Sequence, residues 1–419
     1  MYPWLGRFLF FPGTMNAILR TGMFLPLVAA GCASLPGSAP AEDPSMKSFA
    51  EELDSLREAR RIPGLSVAVI RDGEVILARG LGYADLEGRV AATENTAYDV
   101  ASVTKPISAV AALRMVERGE LDLDRRMSTF RGFPEFCADV RGETGIFFRD
   151  YGCDSPRLTL RHLLSMRANG VPGERFFYNP PSYSWASRPI AEVAGIPFSE
   201  LVAREVFTPA GMTASARIHR RLPLRADVAA ALAPPHRLDS LGAVVRAASP
   251  PAQGDGAAGG VVSTVTDLAR FDQALDGGRL IGEAARREMW TPGRSSAGAV
   301  LPYGLGWFVQ EVEGRRVVWH SGVWDGAYSA LYLKVPDERL TLILLANSDG
   351  IRWGNPLDRA EVEKSPFAVA FLGRFARAVS VAHARAREMR SGVPYCAPAR
   401  RAAVVGDVPT SLRSEDRSC

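Results

Sequence analysis

Two runs of β-branched and other apolar residues, Leu65 to Ile70 and Glu74 to Ala78, flank Asp72-Gly73. An Asp-Gly pair between such runs predicts a β-hairpin. The period then changes. Ile107, Val110, Leu113 and Val116 recur at helical spacing, so a helix with one apolar stripe is expected over 106–117. From 120 to 258 the pattern breaks into short pieces rich in Pro, Gly and Arg, with brief helical stretches at Leu160 to Met166 and Ile190 to Ala194. Thr264-Val265-Thr266-Asp267 reads as a capping box that opens a helix running to about Leu275. Strand patterns return at Trp307 to Val312, Val317 to His320, Tyr328 to Val335 and Leu340 to Leu345, with Pro336-Asp337 as the last turn. A final helix is expected over Phe367 to Arg385. Strands at both ends around a helical middle predict an α+β fold. One antiparallel sheet is formed from N- and C-terminal segments and flanked by helices, with an inserted, mainly helical lobe.

The first residues follow a different logic. A short apolar stretch, Met23 to Ala30, is preceded by Arg20 and followed by Cys32, the layout of an export signal; Met15 gives a tidier start for it than Met1. Val28-Ala29-Ala30-Gly31-Cys32 resembles a bacterial lipobox, which would make Cys32 the lipidated residue. Ala39-Pro40-Ala41 offers ordinary secretory cleavage as an alternative, and a plain N-terminal extension is a third reading. The expected organisation is a signal and flexible tether over 1–46, a domain over 47–390, and a tail over 391–419. Within the domain, an α/β lobe covers about 47–106 and 258–390, and a helical lobe about 107–257. The expected address is the bacterial cell envelope, lipid-anchored and facing the periplasm, with a soluble exported form as the alternative. Export makes disulfides possible. With Cys32 set aside, Cys137, Cys153, Cys396 and Cys419 remain, and the two local pairings are the preferred ones.

Charge and composition narrow the function. The 419 residues carry 50 Lys+Arg and 46 Asp+Glu, a net +4, with no dense basic stripe, so a nucleic-acid partner is not expected. No apolar run reaches the roughly 18 residues of a spanning helix, so membrane contact would come through the lipid anchor alone. No Cys/His cluster has metal-ligand spacing, and neither a metal nor a cofactor is expected.

Three short motifs carry candidate chemistry. In Ser102-Val103-Thr104-Lys105 the hydroxyl and the amine, three residues apart, share a helix face, so the amine can help activate the serine. Pro106 suits a first helical turn. Tyr178-Asn179-Pro180 offers a general base if a nearby ammonium lowers the phenol's pKa, with Tyr183 as its competitor. His320-Ser321-Gly322 ends a predicted strand, where a glycine lets backbone approach a ligand and the histidine can donate to a carbonyl or anion. Each motif alone also fits a cap, a solvated side chain or a packed aromatic.

Their order and spacing resemble the serine β-lactamase-like hydrolases, in particular the branch of class C β-lactamases, D-alanyl-D-alanine peptidases and related carboxylesterases. Leu158 to Ser165, Phe207 to Met212, Gly259 to Thr264 and Tyr303 to Trp307 are further landmarks in the family's order. The resemblance implies that Ser102 is the acylated nucleophile, Lys105 its helper and Tyr178 the general base. It also implies an oxyanion hole made by the N–H groups of Ser102 and Val323. Two departures stand out. Pro180 replaces the family's asparagine, leaving Asn179 as the neighbouring amide candidate, and His320 stands where β-lactamases carry lysine. Both weaken recognition of an amide-bearing carboxylate. The expected activity is therefore hydrolysis of an ester or amide through acyl-Ser102, esterase-like on a small substrate. Substrate-binding roles fall to His320, Gly322, Val323 and Asn179. A D-alanyl peptidase or β-lactamase acting on peptidoglycan-derived peptides is the alternative, and a non-catalytic envelope binding module is the alternative from another class. The sequence leaves the oligomeric state open.

Overall fold

The computed structural model describes residues 43–252 and 254–375. Cys32, Cys396, Cys419 and the end of the last predicted helix lie outside the described residues. Asp72 and Gly73 both adopt positive φ, 54° and 84°, the backbone that a tight hairpin demands. They join the strands Gly64–Arg71 and Glu74–Asp85. Gly64–Arg71 then pairs antiparallel with the C-terminal strand Leu340–Ala346, with Leu65 opposite Ala346 and Arg71 opposite Leu340. This pairing closes the two ends of the chain into one sheet. The sheet has seven strands, in the order Val90–Ala91, Glu74–Asp85, Gly64–Arg71, Leu340–Ala346, Tyr328–Val335, Arg315–Trp324 and Phe308–Val312. The expected α+β fold with a sheet from both termini is what the chain forms.

The central strands Tyr328–Val335 and Leu340–Ala346 are buried at every position. Such strands must be covered on both faces. The helix Val265–Asp276, opened by Thr264 Oγ1 accepting from the N–H of Asp267 at 3.0 Å, lies against this sheet. It contributes Asp272 to a buried cluster in which Lys334 Nζ donates to Asp272, Tyr332 Oη donates to the same carboxylate at 2.6 Å, and Thr341 joins both. The helices Pro44–Ala59 and Pro366–Phe375 pack on one another through Phe49 and Phe375, ring centroids 4.7 Å apart and nearly perpendicular.

The middle of the chain is less purely helical than its pattern predicts. Short helices such as Phe133–Val140, Pro180–Trp185 and Ser187–Ala194 alternate with strands. Ala216–Arg217 joins Tyr98–Asp99 and Val261–Ser263 in a small three-stranded sheet, and His236–Leu238 pairs with Val244–Arg246. Cys137 and Cys153 form a disulfide within this region, as the local pairing predicts, with Cα atoms 5.6 Å apart.

The helix Thr104–Glu117 departs from its predicted stripe. Residues Thr104 to Leu113 are buried on every side, because the small Ser108, Ala109, Ala111 and Ala112 let neighbouring elements close over the face that the pattern leaves outward. It is a central helix.

The Asp272–Lys334 cluster gives a test of this packing. Lys334→Met is expected to cost about 3–5 kcal/mol in urea unfolding, because it strands a buried carboxylate, and Asp272→Leu added to it should recover most of the loss.

Candidate active site

Ser102 sits at the join between the short 3-10 turn Ala101–Val103 and the helix Thr104–Glu117. Ala101 holds the left-handed conformation, φ 47°, and its N–H donates to Asp99 Oδ1 at 2.8 Å. That strained turn sets the direction in which Ser102 leaves the backbone. Burial raises the Asp99 carboxyl to about 6, opposed by the bond from Ala101.

One helical turn on, the Lys105 side chain is fully buried, and its Nζ lies 2.7 Å from Ser102 Oγ. It donates to the Ala258 carbonyl at 3.1 Å, and no carboxylate contacts it among the described residues. Burial without a counter-charge pushes the amine well below its ordinary pKa. Tyr178 completes the group. Its N–H donates to the Leu357 carbonyl at 2.7 Å, and its ring stacks on Phe308 at 5.8 Å. Lys105 Nζ lies 5.0 Å from the Tyr178 ring centroid.

Burial raises the Tyr178 pKa, and the neighbouring Ser102 opposes it only in part. Desolvation acts on both groups, disfavouring phenolate and ammonium alike. Tyr183, the competing tyrosine, is fully buried and spends its hydroxyl on the Lys105 carbonyl at 3.0 Å.

The strand Arg315–Trp324 passes against the nucleophile. A Cβ on Gly322 would fall 2.2 Å from the Val100 carbonyl oxygen and 3.2 Å from Ser102 N, so only glycine allows this approach. Ser321, Gly322 and Val323 line the same cleft of about 400 Å³ as Ser102 and Tyr178.

His320 is not on that surface. It is fully buried, its Nδ1 lies 2.7 Å from the Ser321 carbonyl and its Nε2 lies 2.9 Å from Tyr303 Oη. Burial holds it well below its usual pKa, so the ring is neutral. A carbonyl can only accept, so the ring proton is on Nδ1 and Nε2 accepts from Tyr303. Neither nitrogen is left for a substrate.

Asn179 is also turned inward, contrary to the substrate role expected of it. It caps the helix Pro180–Trp185, accepting from the N–H of Ser182 at 3.0 Å, and its amide donates to Asn169 and to the Phe147 carbonyl. An Asn N-cap followed by Pro at the first helical position explains why Tyr178-Asn179-Pro180 departs from the family pattern. Pro180 itself lines the cleft. The charged residues lining it are Asp325 and Arg352, paired with each other at 2.6 Å.

The motifs missed Tyr303, although it opens one of the landmarks, and the Ala258 carbonyl, whose backbone atom leaves no trace in residue type.

A model of the Beta-lactamase family matches residues 49–363, and the chain belongs to that family. It is 28% identical over 326 residues to "Penicillin-binding protein 4*" of Bacillus subtilis, covering 71% of this chain and 70% of that protein. It is 24% identical over 315 residues to a D-aminopeptidase of Brucella canis, covering 69% of this chain but 57% of that protein. Among solved structures, the octameric penicillin-binding protein homologue from Pyrococcus abyssi shares the fold with a TM-score of 0.61 at 24% identity, over 78% of this chain and 77% of its own. D-amino acid amidase from Ochrobactrum anthropi does so with a TM-score of 0.62 at 19% identity, over 83% and 100%.

Gly322→Ala is expected to slow acylation by about 10²–10³-fold, the loss typical of a displaced oxyanion donor, with the far-UV circular dichroism unchanged.

Proposed function

We propose that the protein hydrolyses an ester or amide bond through a covalent acyl-Ser102 intermediate. The observation that carries this reading is the 2.7 Å approach of a buried, uncompensated Lys105 Nζ to Ser102 Oγ, with Tyr178 lining the same cleft as Ser102. In the proposed cycle Ser102 Oγ attacks the carbonyl carbon while its proton passes to neutral Lys105. The N–H groups of Ser102 and Val323 are the candidate donors for the developing oxyanion. Collapse of the tetrahedral intermediate breaks the bond to the leaving alcohol or amine. Tyr178 gives the leaving group its proton and is reprotonated from Lys105. Water then repeats the sequence in reverse, releasing the acid and restoring Ser102.

Substrate preference follows from what the site lacks. A carboxylate would find no free charge at His320, and Asn179 is committed to its cap. The cleft therefore suits a small ester or amide held mainly through its reacting carbonyl. The relatives named for penicillin binding and D-aminopeptidase activity support amides of D-amino acids as the second class to test. The proposed place of action is the cell envelope, with Cys32 as the anchor. The Cys137–Cys153 disulfide is in keeping with an oxidising compartment, and no helix among the described residues is long and apolar enough to cross a membrane.

Exposure to a fluorophosphonate followed by intact-mass measurement should give one adduct on the native protein and none on Ser102→Ala. Failure to label either would favour a non-catalytic binding module. Tyr178→Phe should reduce turnover of a p-nitrophenyl ester by about 10²–10⁴-fold. Tyr183→Phe should retain turnover and lose about 1 kcal/mol of stability. A reversed order would reassign the two tyrosines.

A further inference from the structure

The backbone from Asp255 to Val261 lies against the first turns of the helix Thr104–Glu117 and is tied to it three times. Ser108 Oγ donates to the Ala257 carbonyl at 2.8 Å, Lys105 Nζ to the Ala258 carbonyl at 3.1 Å, and the N–H of Val261 to Thr104 Oγ1 at 3.2 Å. The same segment is pressed onto the helix that follows Tyr178-Asn179. The N–H of Ala257 donates to the Ser184 carbonyl at 3.0 Å, and a Cβ on Gly256 would fall 1.8 Å from Ser184 Oγ, so only glycine fits there.

A further hold comes from Arg217, on the small-sheet strand Ala216–Arg217. Its side chain is 1% exposed, and its guanidinium lies over the Phe198 ring at 5.2 Å. Nη2 donates to the Gly256 carbonyl at 2.6 Å and, at 3.4 Å, to Asp255 Oδ1. The other carboxylate oxygen of Asp255 accepts from the N–H of Ser199 at 2.9 Å. Among the described residues, Arg217 Nε and Nη1 are buried with no hydrogen-bond partner. A charge so deeply buried and so sparsely bonded stabilises a fold poorly. What it supplies is position, because the Gly256 carbonyl it holds stands two residues before the carbonyl that receives Lys105 Nζ. Its charge is also felt on the other side of Ser102. Burial raises the Asp99 carboxyl, and the Ala101 N–H and the Arg217 charge oppose that rise.

We propose that Arg217 is a positioning residue for acyl transfer: by clamping Asp255 and Gly256 it sets the Ala258 carbonyl against Lys105 Nζ, and so keeps the amine on Ser102 Oγ. Arg217 does not line the catalytic cleft, so it acts through this backbone. The inference rests on the reading of Ser102 and Lys105 as the reacting pair.

The test is the rate of fluorophosphonate labelling of Ser102, followed by intact mass and divided by the folded fraction from circular dichroism. Arg217→Met fills the space without the clamp and should label about 10²-fold more slowly than the native protein, the loss that a displacement of about 1 Å can cause. Arg217→Lys keeps a donor for the Gly256 carbonyl and should recover most of that rate. Asp255→Asn removes the charge that seats the guanidinium and should also slow labelling; it carries the test if Arg217→Met does not fold. A guanidinium that only stabilises the fold would lower the melting temperature of these variants and leave the rate per folded molecule at the native value. That result, with the native protein labelled, would overturn this proposal alone. A native protein that does not label would remove the acyl-Ser102 reading, and this inference with it.

Discussion

Everything proposed for this protein's chemistry rests on a lysine amine taken out of water with no carboxylate beside it. Lys105 is held by the Ser102 hydroxyl and by one backbone carbonyl. Moving an ammonium into such a place is costly, so the neutral amine is favoured. A neutral amine 2.7 Å from a hydroxyl can remove its proton. The rest of the fold keeps this environment dry. Helix Thr104–Glu117 is buried through the residues that follow Lys105, and Tyr183 closes over its backbone. The Tyr178, Phe308 and His320 rings pack together against the site.

The sheet supplies the second requirement, a fixed backbone beside the nucleophile. The strand Arg315–Trp324 is registered against Tyr328–Val335 from Val318 to Trp324, and so cannot slide. Its outer neighbour Phe308–Val312 pairs it only as far as Trp319, leaving 320–324 to face the Ser102 turn. Gly322 makes that approach possible, and His320 anchors it from beneath through Tyr303. The histidine in the third motif is thus committed to Tyr303 and the Ser321 carbonyl.

Much of this is readable where a local rule decides. Asp72-Gly73 forces a hairpin, Thr264 and Asp267 form a cap, and the spacing of Ser102 to Lys105 puts both groups on one face. Other features depend on contacts between distant segments. The burial of His320 needs Tyr303, and the Lys105 environment needs Ala258, 153 residues away. Burial, which raises the Tyr178 phenol and lowers the Lys105 amine, is likewise set by distant segments. Asn179 was legible as an N-cap before Pro180, but the family motif drew attention to its side chain as a ligand. The stripe on 106–117 is present, and what hides it is the smallness of the alanines between its members.

The most direct test is a ¹⁵N,¹³C NMR titration of the Lys105 side chain in the resting protein. The resonance should be assigned through Lys105→Arg and followed from pH 5 to pH 11. A neutral amine at pH 8, titrating well below the ordinary lysine value of about 10.4, is the predicted result. An ammonium that stays protonated through pH 10 would contradict the account and return the role of base to Tyr178.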